Sequence, residues 1–350
     1  MTGGERLLDV DLKHGRVEMV HGAGGRAMHA LIRELFARAF DNACLQRGDD
    51  GAVLPAPAPG ERLVMACDAH VVSPLFFPGG DIGCLSVHGT VNDLAVMGAR
   101  PLYLSAAFVL EEGFALADLV RIVGSMAAAA REAGVMIVTG DTKVVEQGKG
   151  DGVFITTTGL GALAPGLELS GSGARVGDAV LLSGTVGDHG MAIMAQRESL
   201  AFDADIVSDT AALHELIAGV LASAPGAVHV LRDPTRGGLA ATLNEIAAQS
   251  GVGMLLDEAA IPVAPQVAAA CELLGLDPLH VANEGKLVAI CSADAADAVL
   301  AAMQAHPLGR QAALIGEVSD DVRSFVQLRT LLGGRRMLDW LSGEQLPRIC

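Results

Sequence analysis

The chain has 350 residues, 51% of them hydrophobic and only 3% aromatic, with 43 glycines and a formal net charge of −17. That length reads as two domains with cores of Ala, Val, Leu, Ile and Met. The acidity excludes a nucleic-acid partner, because it repels phosphate backbones; it suits an enzyme holding divalent cations through carboxylates, and equally a well-solvated surface.

In chain order, residues 1–25 are polar and end in His21-Gly22-Ala23-Gly24-Gly25. Ala27 to Ala39 has helical periodicity. Leu63 to Cys67 reads as a strand running into Asp68, and a helix follows Gly83 to Val96. Leu102 to Leu110 is a strand, Leu116 to Ala133 a helix, and Val135 to Thr139 a strand ending at Gly140-Asp141-Thr142-Lys143. A further strand, Gly152 to Gly161, closes the first half. Residues 164–178 are rich in Pro, Gly and Ser and read as a linker. Ala179 to Ser183 is a strand, 188–197 and 210–223 are helical, and Val228 to Leu231 is a strand running into Asp233. Residues 237–250 and 294–305 are helical. The last stretch, 327–350, has leucines interrupted by Gly333-Gly334 and ends in Cys350; it reads as a mobile arm.

Six cysteines, Cys44, Cys67, Cys84, Cys271, Cys291 and Cys350, form no C-x-x-C pair. Neither a zinc site nor a thioredoxin-like motif is signalled, and scattered thiols suit a reducing cytosol. There is no secretory leader and no apolar run of membrane-spanning length, so a soluble cytoplasmic protein is expected, with no membrane partner.

The acids are informatively placed. Asp49, Asp50, Asp68, Asp93, Asp141 and Asp233 follow apolar strands or sit in glycine turns, and ligands of open α/β sheets bind at the carboxyl ends of strands. Each alone is more often a turn or N-cap residue; together they point to Mg2+ and a nucleotide. No G-x-x-x-x-G-K-[ST] occurs, and no G-x-G-x-x-G opens a helix after a strand. Phosphate binding therefore falls to Gly22, Gly24 and Gly25 before one helix and to Asp233-Pro234-Thr235-Arg236-Gly237-Gly238 before another, with Arg236 as the cation. Each glycine run taken singly is equally a helix cap.

These residues carry a resemblance. His21-Gly22-Ala23-Gly24-Gly25, Gly48-Asp49-Asp50-Gly51, Cys67-Asp68, Gly89 to Ala99 with Asn92-Asp93 at its centre, Gly140-Asp141-Thr142-Lys143 and Asp233 to Leu239 occur in that order. The set resembles the ATP-binding superfamily of aminoimidazole ribonucleotide synthetase, selenophosphate synthetase and thiamine-monophosphate kinase. The string Val72 to Gly83 and the ending Pro347-Arg348-Ile349-Cys350 are similar to the HypE family of hydrogenase maturation proteins, which are carbamoyl dehydratases. The likeness spans essentially the whole chain. One departure is Cys67-Asp68-Ala69, where the family pattern has Thr-Asp-Ser; the Asp is kept. The reactive Cys or Sec near the N-terminus of selenophosphate synthetases has no counterpart.

The resemblance implies an α/β (α+β) two-domain fold of the aminoimidazole ribonucleotide synthetase (PurM-like) type. Residues 1–163 would form the ATP-, Mg2+- and dimer-forming domain, 164–178 the linker, 179–326 the second α/β domain, and 327–350 the mobile tail. It implies that HypF loads a carbamoyl group on Cys350. ATP-dependent dehydration then turns this into a thiocyanate, and the cyano group passes to iron on a HypC–HypD complex for [NiFe] hydrogenase. ATP would bind near the interface of a homodimer. The catalytic candidates are Cys350, Glu284 as general base, Asp93 sharing that role, and Lys143. Gly22, Gly24, Gly25, Asn92, Thr142 and Arg236 are the nucleotide-binding candidates, and Asp49, Asp50, Asp68, Asp93, Asp141 and Asp233 the metal ligands. The terminal carboxylate beside the Cys350 thiol disfavours the thiolate, and Arg348 is expected to offset this. Two other readings share these residues: a phosphotransferase or ligase acting on a free substrate, and a non-catalytic scaffold.

Overall fold

The computed structural model describes residues 10–198, 205–341 and 348–350. A 3-10 turn, Met19–Gly22, leads into α1 (Arg26–Leu31), a π-helical stretch (Ile32–Ala37), α2 (Arg38–Phe40) and α3 (Ala43–Gln46). Then come β1 (Arg62–His70), a small hairpin of β2 (Phe76–Phe77) and β3 (Gly80–Asp81), α4 (Ile82–Val96), β4 (Ala99–Glu111), α5 (Leu116–Glu132), β5 (Met136–Val145) and β6 (Val153–Leu163).

The first sheet has the order β1-β6-β4-β5. α4 and α5 cover one face, where Leu85, Val91, Leu104, Ile122, Met126 and Ile155 are buried together. On the opposite face of edge strand β1, Leu63 and Met65 are 58% and 69% exposed. α4 starts where Asp81 Oδ1 accepts the backbone N–H groups of Gly83 and Cys84 at 2.7 and 3.2 Å, an N-cap that satisfies the free end of the helix. Most of its residues are buried, because it lies between the first sheet and the second half of the molecule.

The second half contains β7 (Ala179–Leu182), α6 (Asp188–Arg197), α7 (His214–Ser223), β8 (Val228–Arg232), α8 (Gly238–Ser250), β9 (Gly253–Asp257), α9 (Pro265–Leu274), β10 (Val288–Cys291), α10 (Ala296–Ala305), β11 (Ala313–Ser319), β12 (Val326–Arg329) and β13 (Arg335–Met337). Its sheet runs β13-β12-β9-β11-β7-β10-β8. The central strands are apolar throughout because both faces are covered. Val180 and Leu182 meet α8 residues on one side, and Ala179 and Leu181 meet α7 and α10 residues on the other. The linker stretch 164–178 has no regular element, and its Leu169 and Ala174 are buried in the cores of this half.

The stretch 327–350, read from the sequence as a mobile tail, is in its first part a piece of this sheet. β12 runs parallel to β9 and pairs with β13, and Val326, Leu328 and Leu338 enter the core. Gly333-Gly334, read as a break, is the turn of that hairpin: Gly333 has φ +80°, and Thr330 donates its backbone N–H to the Gly334 carbonyl at 2.9 Å. Residues 342–347 of that stretch, like residues 1–9 of the first domain, lie outside the described residues.

Candidate active site

The loop before β10 carries Glu284, and its backbone is fixed on every side. Asn283 accepts from Gly187 N at 2.7 Å and donates to the Pro234 and Val281 carbonyls. Glu284 donates its own N–H to Asp209 Oδ1 at 3.0 Å. Its neighbour Gly285 passes so close to Asp209 that a Cβ there would lie 1.8 Å from the Asp209 carbonyl oxygen. Lys286, mostly buried, bridges Asp188 and Asp209 at 3.2 and 3.1 Å. From α4, Asn92 donates to the carbonyls of Glu284 and Ala211 and accepts from Leu213 N at 2.8 Å.

The Glu284 carboxyl is buried, and Oε1 has no hydrogen-bond partner among the described residues. Burial, reinforced by Asp233, Asp209 and Asp68, holds its pKa well above the usual carboxylate range. Asp93 is pushed up to about 7 by burial, then by Asp233 and Asp68. Asp233 is pushed up to about 6 by burial, with Asp68 adding to the effect. His70 is buried beside Asp68, with Nε2 3.6 Å from Asp68 Oδ2 and 3.3 Å from Thr157 Oγ1. Four acids thus converge, and the charge of Arg236 reaches Asp93, His70 and Cys350.

Cys350 completes the cluster. Its thiol lies near the Glu284 carboxyl, and burial followed by the Glu284 charge raises its pKa well above the ordinary value. Arg236 is the cation that partly offsets this. Arg348, expected in that role, instead turns its side chain to Asp151, because its backbone takes the left-handed conformation at φ +54°. The last three residues lie in a notch between the halves. Ser73 N and Arg197 both donate to the Arg348 carbonyl, at 3.1 and 3.0 Å, and His189 Nε2 is 2.8 Å from the Ile349 carbonyl oxygen. The Ile349 side chain is 4% exposed.

The other candidates stand elsewhere. Asp49, Asp50, Asp141 and Thr142 line a separate cavity of about 510 Å3 beside Phe36, Phe40 and Phe108. On β5 the buried Thr142 alternates with the exposed Asp141 and Lys143, and Lys143 Nζ pairs with Asp141 at 2.6 Å. Register separates the two groups of acids. Asp68 pairs with Thr157, Thr157 with Ala106 and Ala106 with Gly140, so Asp141 is three strands away from Asp68, about 14 Å. The six acids therefore form two sets, and among the described residues no three His, Cys, Asp or Glu side chains are placed to ligate one ion.

Asn92 anchors the Glu284 loop, with both amide hydrogens and its Oδ1 bonded to backbone groups. Gly22 packs on β5, where a Cβ would lie 2.8 Å from Val144 N; Gly24 and Gly25 face open space. Asp209, Lys286, His189 and Arg197 were not singled out from the sequence. The available signal was Asp188-His189, a polar pair at the head of the apolar Met191-Ala192-Ile193.

Comparison with known proteins shows the family. Residues 48–163 match the family model of the AIR synthase related protein N-terminal domain, and residues 175–329 match that of its C-terminal domain. The chain is 71% identical over 341 residues to the carbamoyl dehydratase HypE of Cupriavidus necator, covering 97% of each chain. It superposes with a TM-score of 0.91 on the crystal structure of a hydrogenase maturation protein HypE in complex with ATP, at 51% identity over 95% of this chain and 99% of that one. On a HypE–HypF complex the TM-score is 0.78, at 50% identity over 89% of this chain and 100% of the other. With two domain models and a full-length relative at this identity, the chain belongs to the HypE family of carbamoyl dehydratases, hydrogenase maturation proteins of the AIR synthase related fold.

Proposed function

We propose that this chain dehydrates an S-carbamoyl group on its own Cys350 to a thiocyanate at the expense of ATP, supplying the cyanide ligand of [NiFe] hydrogenase iron. The observation that carries the reading is the placement of Cys350. The last residue of the chain faces a buried carboxyl, in a cluster of acids with Arg236 nearby. A carrier thiol needs that position, and an incidental terminal residue does not.

The chemistry balances as follows. The carbamoyl oxygen takes the γ-phosphoryl group of ATP, and that oxygen leaves with the phosphate. The nitrogen loses its two protons, and ADP, phosphate and S–C≡N remain. Glu284 is the base. Its carboxyl is buried in the cluster, and its Oε1, unpartnered among the described residues, is free for a substrate N–H. Arg236, whose charge reaches Cys350, would neutralise the negative charge that develops on the transferring group. The acids fit Mg2+, which takes a few carboxylates and completes its shell with water and phosphate oxygens. One or two of Asp68, Asp93 and Asp233 would hold it, since the three are not placed to ligate one ion together, and their crowding is what a cation relieves. Bound there, the ion would neutralise phosphate charge.

ATP binding is supported by the ATP complex of the 51% identical HypE, and loading by HypF is supported by the HypE–HypF complex. Delivery to a HypC–HypD complex would be the step that consumes the thiocyanate. A homodimer is favoured by the open, apolar face of β1 and by the split acid set. A second chain laid on that face by a twofold axis would bring Asp141 and Lys143 of one copy toward Asp68 of the other, making Lys143 part of a shared ATP site with Gly24, Gly25, Asp49, Asp50 and Thr142. Six free cysteines suit the reducing cytosol, and no helix of the described residues is long and apolar enough to cross a membrane.

The test is intact-protein mass after incubation with HypF, carbamoyl phosphate and ATP. A carbamoyl mass gain on the C-terminal peptide, then loss of one water, is expected. Dehydration that persists in Cys350→Ala overturns the reading.

A further inference from the structure

The groups that grip the end of the chain are not used by the chemistry above. His189 is fully buried on α6, with both ring nitrogens engaged: Nδ1 is 2.7 Å from Ser208 Oγ and Nε2 2.8 Å from the Ile349 carbonyl oxygen. The Ile349 carbonyl oxygen can only accept, so Nδ1 takes its bond from the Ser208 hydroxyl, whose oxygen also accepts the N–H of Thr210 at 3.2 Å. That leaves the imidazole proton on Nε2, donated to Ile349. Phe77 meets the ring edge-on at 5.4 Å and holds its plane. About two turns further along α6, Arg197 donates to the Ser73 carbonyl at 2.6 Å and to the Arg348 carbonyl at 3.0 Å. Ser73 adds its own N–H to the Arg348 carbonyl at 3.1 Å.

Two consecutive carbonyls are therefore held by donors from α6 and the Ser73 loop, with Ile349 buried as an apolar plug and Arg348 paired to Asp151. The grip is on the main chain, so it fixes how far the next side chain reaches. We propose that His189 and Arg197 form a docking cradle for the main chain of the last three residues, setting the register that brings the Cys350 thiol to Glu284 and, while docked, screening that thiol from reagents in solution. Neither residue touches the reacting atoms; both are positioning residues. The proposal deepens the reading of Cys350 as the carrier and rests on it for its functional half.

The cradle implies two states of the thiol. Docked, it is partly buried and held beside a carboxyl. Undocked, it is an ordinary terminal thiol open to the enzyme that loads it. Donors to two carbonyls, one of them from a guanidinium, are strong enough to bias that equilibrium and weak enough to release.

The experiment is alkylation of the full-length chain by iodoacetamide, followed by mass spectrometry of the C-terminal peptide, with added N-acetylcysteine as the reference thiol. In Arg197→Gln the Cys350 rate relative to that reference should rise roughly tenfold, and Arg197→Lys should recover part of the protection. His189→Leu should behave like Arg197→Gln, and His189→Gln, which keeps a donor, should lie between. Arg197 is only half-buried, so its variants keep the test open if His189→Leu fails to fold. On S-carbamoylated protein, Arg197→Gln should slow single-turnover dehydration by a similar factor while loading is not slowed. Unchanged labelling of Cys350 in Arg197→Gln overturns the cradle, whether or not the chain dehydrates its carbamoyl group. Faster labelling with dehydration unchanged overturns the positioning role. Failure of the carrier reading shows separately, as dehydration by Cys350→Ala.

Discussion

Asn92, in the middle of α4, holds the carbonyl of Glu284 at 3.2 Å although 192 residues separate them. This bond ties the candidate base to the first half of the molecule, and the same amide secures Ala211 and Leu213. Asn92→Ala leaves three buried backbone groups without partners, a loss of roughly 2–4 kcal/mol of stability. Asn92→Asp should be worse, since it sets a carboxylate against two carbonyl oxygens. Urea unfolding would rank the two, and single-turnover dehydration should fall in both even where ATP binding survives.

Glu284→Gln tests the base directly. The amide is nearly isosteric and keeps the loop bonds, which run through backbone atoms. Loading of Cys350 should proceed normally, while dehydration falls by roughly 10²- to 10⁴-fold, the usual contribution of a positioned general base. Mass spectrometry of the C-terminal peptide should show the carbamoyl adduct persisting. Normal loss of water would remove Glu284 from the mechanism.

What the sequence revealed and what it hid can be read from particular residues. Asp68, Asp233, Arg236, Glu284 and Cys350 stand at strand ends, turns or the terminus, where function concentrates, and Asp93 stands beside Asn92 on α4; all six meet in one cluster. Asn92 was legible as a motif residue but not as an anchor, because its partners are backbone groups far along the chain. The division between Asp68 and Asp141 depends on strand order, which no local pattern encodes. β9, α9, β10 and β11 were not assigned, since short apolar runs with both faces buried lack a diagnostic period. His189 and Arg197 act through carbonyls 160 and 151 residues away, a relationship that leaves no motif.

The separation of the acids predicts subunit complementation. If the ATP site is shared, Asp68→Asn chains and Asp141→Asn chains should each be inactive alone. Their mixed dimer then keeps one intact site, so an equimolar reassociated mixture should recover about a quarter of wild-type dehydration. The measurement is single-turnover dehydration after mixing and reannealing. A mixture as inactive as its components would place both sets of acids in sites within one chain.

His88 on α4 predicts an acid limit to stability. Its Nδ1 lies 3.0 Å from Thr210 Oγ1, and burial, with a smaller effect of His214, lowers its pKa from 6.5 to about 4. Above the unfolded value both states are neutral there, and His88 costs nothing. As pH falls from 6.5 toward 4, the unfolded chain takes up a proton that the folded chain refuses, so His88 removes up to about 3 kcal/mol of stability. Asp93 and Asp233 titrate in the same range with the opposite sign, because their folded values are raised. The effect of His88 is therefore read as a difference. His88→Gln stays neutral at every pH and keeps a polar atom toward Thr210. Urea unfolding of both proteins at about pH 7.5 and about pH 4.5 should show the variant gaining roughly 2–3 kcal/mol on the wild type at the lower pH. A gap that stays constant would mean that the buried imidazole is protonated as readily as a free one.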